Sequence, residues 1–213
     1  MYQPEPFRVD DLKRIHALMR ARPFAILVSV GATGLYATHL PTVFKDQGLY
    51  GLVECHVARV NPQWKDLASG IEALMIFQGV DGYITPSWYP SKTEHGKVVP
   101  TWNYAVVHVY GHPEVIEDKQ WLRSHVTELT AQQENGSAEP WAVSDAPESY
   151  IDVMLRGIVG FRFAIERIEG TWKMNQNRET KDREGVVAGL SARAEGDDLQ
   201  IAELVSSKVP REI

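Results

Sequence analysis

The sequence predicts a mainly β protein of the α+β class, an antiparallel barrel with helical appendages. Two observations predict it. Apolar, β-rich runs follow one another through tight, glycine-bearing turns, and few helices stand between them where a parallel sheet would need crossovers. Helical patterning gathers instead at the start of the chain, between about 118 and 157, and from Asp182 onward.

Taken in order, Asp10 or Asp11 caps a helix whose apolar face is Leu12, Ile15, Leu18 and Met19, ended by Pro23. Phe24 to Val30 and Leu35 to Leu40 form a hairpin about the turn Gly31 to Gly34, and Pro41 implies a sheet edge or a bend. A strand from about Leu49 to Val60 leads to Asn61-Pro62, an N-cap and first-turn pair for a helix through Trp64 and Leu67 to Gly70. Ile71 to Gln78 is a buried strand, Gly79 to Gly82 a turn, Tyr83 to Thr85 a short strand and Pro90 to Lys97 a loop. Val98 to Gly111 is a long strand. Helices follow from Asp118 to Glu134, with Trp121, Leu122, His125 and Leu129 on one face, and after Asp145 as cap, with Tyr150, Ile151, Met154 and Leu155. Ile158 to Ile168 alternates with the period of a half-buried strand. The organisation is one domain over 1–190 with inserted helices, and 191–213 as its helical tail, interrupted at Gly196.

Composition narrows the function. The chain has 213 residues, 44% hydrophobic and 23% charged, which is ordinary for a globular protein. Its net charge of −6 gives no overall basic surface for a nucleic-acid backbone. A single cysteine, Cys55, rules out an intrachain disulfide and fits a reducing cytoplasm. No signal-peptide core and no membrane-spanning apolar run is present, so a cytoplasmic location free of membrane is expected. The zinc signature HExxH, cysteine pairs, a Walker loop, GxGxxG and GxSxG are all missing, so no metal site is expected.

Three clusters carry chemistry beyond what a plain barrel needs. His56 to Trp64 places His56 and Arg59 at a strand end before a helix N-terminus, where a phosphate would be held by backbone N–H groups and a guanidinium. The alternative is a capped turn with surface charges. Val99 to His108 presents Thr101, Trp102, Asn103, Tyr104 and His108, which suit a planar heteroaromatic ligand with polar edges, or simply fill a core. Lys173 to Arg178 sets Gln176 beside Asn177, which suits recognition of an imide edge, or a solvated turn. His56 and His108 could meet in space, although their spacing does not show it.

These strings together resemble the PaiB family of FMN-binding negative transcriptional regulators. The likeness rests on Met1-Tyr2 with Pro4 and Phe7, Pro23-Phe24, Ala37-Thr38-His39-Leu40-Pro41, His56-Val57-Ala58-Arg59 and Asn61-Pro62-Gln63-Trp64. It continues through Phe77-Gln78-Gly79, Tyr83-Ile84, Pro86-Ser87-Trp88-Tyr89, Val99-Pro100-Thr101-Trp102-Asn103-Tyr104 with Val107-His108, Ile158-Val159-Gly160-Phe161, and Lys173 with Gln176-Asn177-Arg178. Asn175 stands where the family commonly has Ser.

The resemblance implies an FMN-binding split β-barrel, as in pyridoxamine-phosphate oxidases and flavin reductases, with FMN at the interface of a homodimer. It implies that Arg59 and Asn61 hold the FMN phosphate and that Thr38 and His39 lie near the ribityl chain or ring. Trp102, Asn103 and Tyr104 would line the isoalloxazine, and Lys173, Gln176 and Asn177 would reach it from the partner chain. His56, Trp64 and Thr101 complete the expected cofactor set. The implied function is negative control of transcription, although no helix-turn-helix is visible. The alternative is a flavin-dependent oxidoreductase in which His39, His56 or His108 relays protons. A barrel that has lost its cofactor is the third possibility. Catalytic residues stay unassigned.

Overall fold

In the computed structural model, residues 1–32 and 34–207 are described; Thr33 of the first hairpin turn and the end of the tail, 208–213, lie outside the described residues. The elements are β1 (Arg8–Val9), α1 (Leu12–Ala21), β2 (Phe24–Gly31), β3 (Gly34–Lys45), β4 (Leu52–Ala58), α2 (Gln63–Leu67), β5 (Ala73–Ile84), α3 (Ser91–His95), β6 (Thr101–Gly111) and β7 (Glu114–Ile116). They continue with α4 (Lys119–Glu134), α5 (Glu148–Arg156), β8 (Ile158–Ala164), β9 (Arg167–Lys173), α6 (Thr180–Arg193) and α7 (Asp198–Ser206). The hydrogen-bonded strand order is β1-β9-β6-β5-β2-β3-β4-β8-β7. The order is linear, so the sheet is not closed, and the fold is an antiparallel split barrel.

Two compact units divide the chain. One comprises Leu12–Phe77 and His108–Ile168, the other Met1–Asp11, Gln78–Val107 and Glu169–Ile213.

In the first unit, β2 and β3 form a hairpin in which Ile26 faces His39 and Leu27 faces Thr38. Pro41 is the last β3 residue paired with β2, and from Thr42 on β3 pairs with β4. A residue without an N–H therefore sits where the strand changes partner, the bend that Pro41 implied. Alternation along β4 buries Val53, Cys55 and Val57 on one face and turns Glu54 and His56 to the other. On β8 the same register sets Phe161 opposite Cys55 and Gly160 opposite His56. Helices α4 and α5 cover that second face with a small core of Leu122, Val143, Ile151 and Leu155. Gly160 is required there, because a Cβ would lie 2.2 Å from Trp121 Cζ3. Asp118 caps α4, its carboxylate accepting from the Trp121 N–H at 2.7 Å.

In the second unit, β1 pairs with β9. Helices α6 and α7 are fastened by Arg193, which donates to both Asp198 oxygens at 2.6 Å and to the Tyr83 carbonyl at 3.1 Å. Ser91 ties α3 to α6, its N–H and hydroxyl donating to Asp182 at 3.1 and 2.7 Å.

Several expected boundaries move. Gly79 to Gly82 is not a turn, since β5 runs through it. Gly82 serves close packing instead: a Cβ there would meet Ile201 Cδ1 at 2.7 Å. The expected loop 90–97 holds α3, closed by Gly96 at φ 67°. The helix after Asn61 is a single short turn. Asp145 closes a 3₁₀ turn by accepting from Ala142 N–H at 2.8 Å, and α5 begins only after Pro147. The alternating run 158–168 is two strands, because alternation carries across the bend between β8 and β9. The two-residue β1 and three-residue β7 are too short for a periodic signal.

Candidate functional site

The expected cofactor residues fall into two sets, one in each unit. In the unit that holds β2 to β4, Thr38, Asn61 and Gln63 form a closed polar knot. Asn61 Nδ2 donates to Thr38 Oγ1 at 2.9 Å, and Thr38 donates to Gln63 Oε1 at 2.6 Å. Gln63 Nε2 donates to Ser29 Oγ at 3.0 Å and to the Leu27 carbonyl at 3.2 Å, while Asn61 Oδ1 accepts from the Gln63 N–H at 3.0 Å. Gln63 is fully buried. Every arm of this knot has a partner, so its role is to bind the loop before α2 onto the β2–β3 hairpin.

Arg59 is similarly committed. Its Nε donates to the Arg156 carbonyl at 2.8 Å, one amino group to the Ile158 carbonyl at 3.0 Å and the other to Glu117. The structure thus gives Arg59 a carboxylate and two carbonyls as partners, and holding a phosphate requires that it release Glu117. Trp64 is pinned by its indole N–H, which donates to the Arg59 carbonyl at 2.9 Å. His39 lies on the exposed face of β3, its ring stacked beside Phe24 at 6.2 Å.

His56 pairs with a histidine of α4. Its Nδ1 lies 3.0 Å from Nε2 of His125, a buried α4 residue that stacks on Trp121 with an interplanar angle of 10°. Burial lowers the pKa of both imidazoles, and His125, also repelled by His56 and Lys45, falls to about 3. Both rings are neutral at pH 7. Cys55 is no nucleophile: burial, with Glu54 adding to it, pushes its thiol up to about 12.

In the other unit, β6 alternates through the most distinctive string. Trp102 is 54% exposed, whereas Asn103 is fully buried. Trp102 and Tyr104 therefore share one face of β6, with Tyr83 edge-on to Trp102 at 6.0 Å, and Thr101 and Asn103 lie on the opposite face. The three residues 102–104 do not line one surface.

Asn103 Nδ2 donates to Asn175 Oδ1 at 2.5 Å, and Asn175 Nδ2 donates to the Tyr89 hydroxyl at 3.1 Å. Asn175 holds φ 58°, a left-handed conformation that Asn tolerates better than most residues. Lys173 Nζ donates to Thr101 Oγ1 at 2.6 Å. Gln176 turns its amide inward, donating to the Trp172 carbonyl and accepting from the Met174 N–H at 2.6 Å, while Asn177 is exposed.

FMN presents an isoalloxazine ring with an imide edge and a phosphate. The β6 side fits the ring. Asn103 Oδ1 is buried with no hydrogen-bond partner, an acceptor kept open, and the Lys173 ammonium donates to Thr101 on the same face of β6, whereas the exposed Trp102 ring lies on the opposite face. The phosphate end has no such opening at Arg59. Sequence reasoning gave no site role to His125 or Gln63. A histidine on the apolar face of a helix was the only legible sign of the first, and the second is revealed by tertiary contacts alone.

The family described as "Putative FMN-binding domain" matches residues 1–167. Protease synthase and sporulation protein PAI 2 of Bacillus subtilis is 31% identical over 213 residues, all of both chains. The protein YKL070W of Saccharomyces cerevisiae is 36% identical over 160 residues, 65% of this chain and 94% of its own. Among solved structures, the FAD and heme binding protein of Mycobacterium smegmatis is similar at TM-score 0.59 and 18% identity, covering 85% of this chain and 80% of that one. The flavocytochrome Anf3 of Azotobacter vinelandii is similar at TM-score 0.56 and 15% identity, covering 78% and 69%. The chain therefore belongs to the FMN-binding PaiB family.

Proposed function

We propose that this protein is an FMN-binding homodimer that acts in the cytoplasm as a negative regulator of transcription. One observation carries the reading: the match to the Bacillus subtilis protein named "Protease synthase and sporulation protein PAI 2" runs the full length of both chains. Asn103 Oδ1 accepts an imide N–H, and Lys173, which meets Thr101 on the same face of β6, lies at the polar rim. FMN, when bound, supplies one- and two-electron redox chemistry and a visible chromophore. Among the described residues no helix is long and apolar enough to cross a membrane.

The net charge of −6 argues for control through a partner or a narrow basic patch rather than a broad DNA-binding face. A gel shift with promoter DNA across a salt series tests direct control. Retardation at micromolar protein that weakens with salt supports it, and none up to that concentration removes direct binding. Titration of the purified chain with FMN, read by the flavin band, tests the cofactor; a protein that stays colourless in excess FMN ends the reading. Arg59→Ala should weaken FMN retention about tenfold if Arg59 exchanges Glu117 for the phosphate. Unchanged affinity moves the phosphate to another residue.

A second reading, a flavin-dependent oxidoreductase, rests on the same match to an FMN-binding domain. Bleaching of bound flavin by NADH or NADPH followed by turnover of an electron acceptor supports it. A flavin that neither cofactor reduces counts against it.

A further inference from the structure

The face of β4 and β8 covered by α4 and α5 carries a feature that the flavin contacts proposed above do not use. A cleft of about 250 Å³ opens between this face and helices α4 and α5, all within one unit. Val126, Trp141, Tyr150, Met154 and Leu155 are among its lining residues, and His56 lies on its wall. Leu155 is buried, whereas Trp141, Tyr150 and Met154 are about half exposed, so the cleft has a closed apolar floor and an aromatic rim.

Besides the Thr130 hydroxyl and the polar tips of Trp141 and Tyr150, the wall carries the imidazole of His56. His56 spends Nδ1 on His125 at 3.0 Å, which leaves Nε2 as the nitrogen it can offer the cleft. His125, behind it, is 2% exposed, and its Nδ1 has no hydrogen-bond partner. A buried imidazole with an unmade bond is costly unless the pair does something. In either tautomer of the neutral pair, His56 Nε2 can bond a ligand in the cleft. If His56 Nδ1 donates to His125, then His56 Nε2 accepts; if it accepts, then Nε2 donates. Apolar walls with an imidazole among them favour a neutral molecule with a hydroxyl, N–H or carbonyl over a strongly hydrated phosphate or carboxylate. A cavity of ~150 Å³ holds benzene, so one of this size accommodates a fused two-ring aromatic.

We propose that this cleft is a binding site for a small, neutral, one- or two-ring aromatic molecule bearing a single hydrogen-bonding group, received by His56 Nε2. The proposal stands independently of FMN binding, because it rests on α4, α5, β4 and β8 alone.

The probes are 2-naphthol and naphthalene, each titrated by calorimetry into the purified full-length chain at pH 7.5. The expected result is saturable binding of one 2-naphthol per chain, with naphthalene about three- to tenfold weaker, the margin of one hydrogen bond. His56→Phe should bring 2-naphthol down to the level of naphthalene and leave naphthalene unchanged. Val126→Trp should fill the cleft and abolish both, and Met154→Trp at the rim does so where Val126→Trp fails to fold, as judged by a thermal melt. No saturable binding overturns the proposal. So do equal affinities for the two probes, or binding that survives both filling variants, which would mark adsorption to the exposed rim.

Discussion

Two polar clusters of similar composition behave differently in this molecule. The Thr38–Asn61–Gln63 knot and the Asn103–Asn175–Tyr89 cluster are both built from amides and hydroxyls against strands. In the first, the amide of Gln63 is bonded at both ends. In the second, Asn103 donates to Asn175 and Asn175 to Tyr89, but the acceptor Asn103 Oδ1 is buried and unmet. A closed network holds a fold; an open one keeps a bonding capacity for something else. Both clusters belong to motifs that the sequence marks as distinctive, so residue type alone does not separate scaffold from site.

The largest expected effect tests the scaffold half of this contrast. Gln63→Leu removes a buried amide and leaves the Thr38 hydroxyl, Ser29 and the Leu27 carbonyl short of partners. We expect a loss of about 2–4 kcal/mol in urea unfolding, the range for breaking a buried hydrogen-bond network. A loss below about 1 kcal/mol would mean that water replaces the amide and that the knot is not structural.

A further stability effect comes from the histidine pair, whose members are satisfied on one side only. His125 has its folded pKa lowered from 6.5 to about 3, chiefly by burial. Between these values the unfolded chain takes up a proton that the folded chain refuses, so stability rises with pH through the window. It is fully present above about pH 6.5 and is lost as pH falls toward 3. From pH 7.5 to 5 the loss from His125 amounts to about 2 kcal/mol at 1.36 kcal/mol per unit. Lys45, whose charge adds to the lowering, is itself paired with Glu128. His125→Phe should flatten the pH dependence of the urea midpoint across that range, and an unchanged slope would assign the acid sensitivity elsewhere.

The contrast also explains what was legible in the sequence. Strands β2, β3, β4 and β6 and helix α4 announce themselves by period, turn residues and the Asp118 cap, because those signals are local. The glycines misled, since Gly82 marks a close approach to Ile201 rather than a turn, and only the partner's position tells these apart. The site was legible as residue types in order, but not as roles. The assignment of Arg59 to a phosphate followed from its place near a strand end, whereas its partners Glu117, Arg156 and Ile158 lie far along the chain. The split of 102–104 between two faces follows from strand alternation, and the contiguous motif hid it. His56 appeared beside Arg59 in one motif, yet alternation along β4 turns it toward α4 and His125.

The smallest stability effect should come from the open cluster, and it decides the comparison. Asn103→Leu keeps the side-chain volume while deleting both the bond to Asn175 and the unmet acceptor. Losing the bond costs stability, whereas burying one fewer unpaired oxygen restores it, so the net change should stay within about 1 kcal/mol. FMN affinity should fall about tenfold, the worth of one charge-free hydrogen bond at the upper end of its range. Stability in urea and flavin titration, measured on the same protein, separate the two roles. If Asn103→Leu destabilises as much as Gln63→Leu and leaves FMN affinity intact, the Asn103 cluster is scaffold like the Gln63 knot. The open oxygen would then be a tolerated defect, and the imide edge of the flavin would have to be met from the exposed Trp102 face of β6.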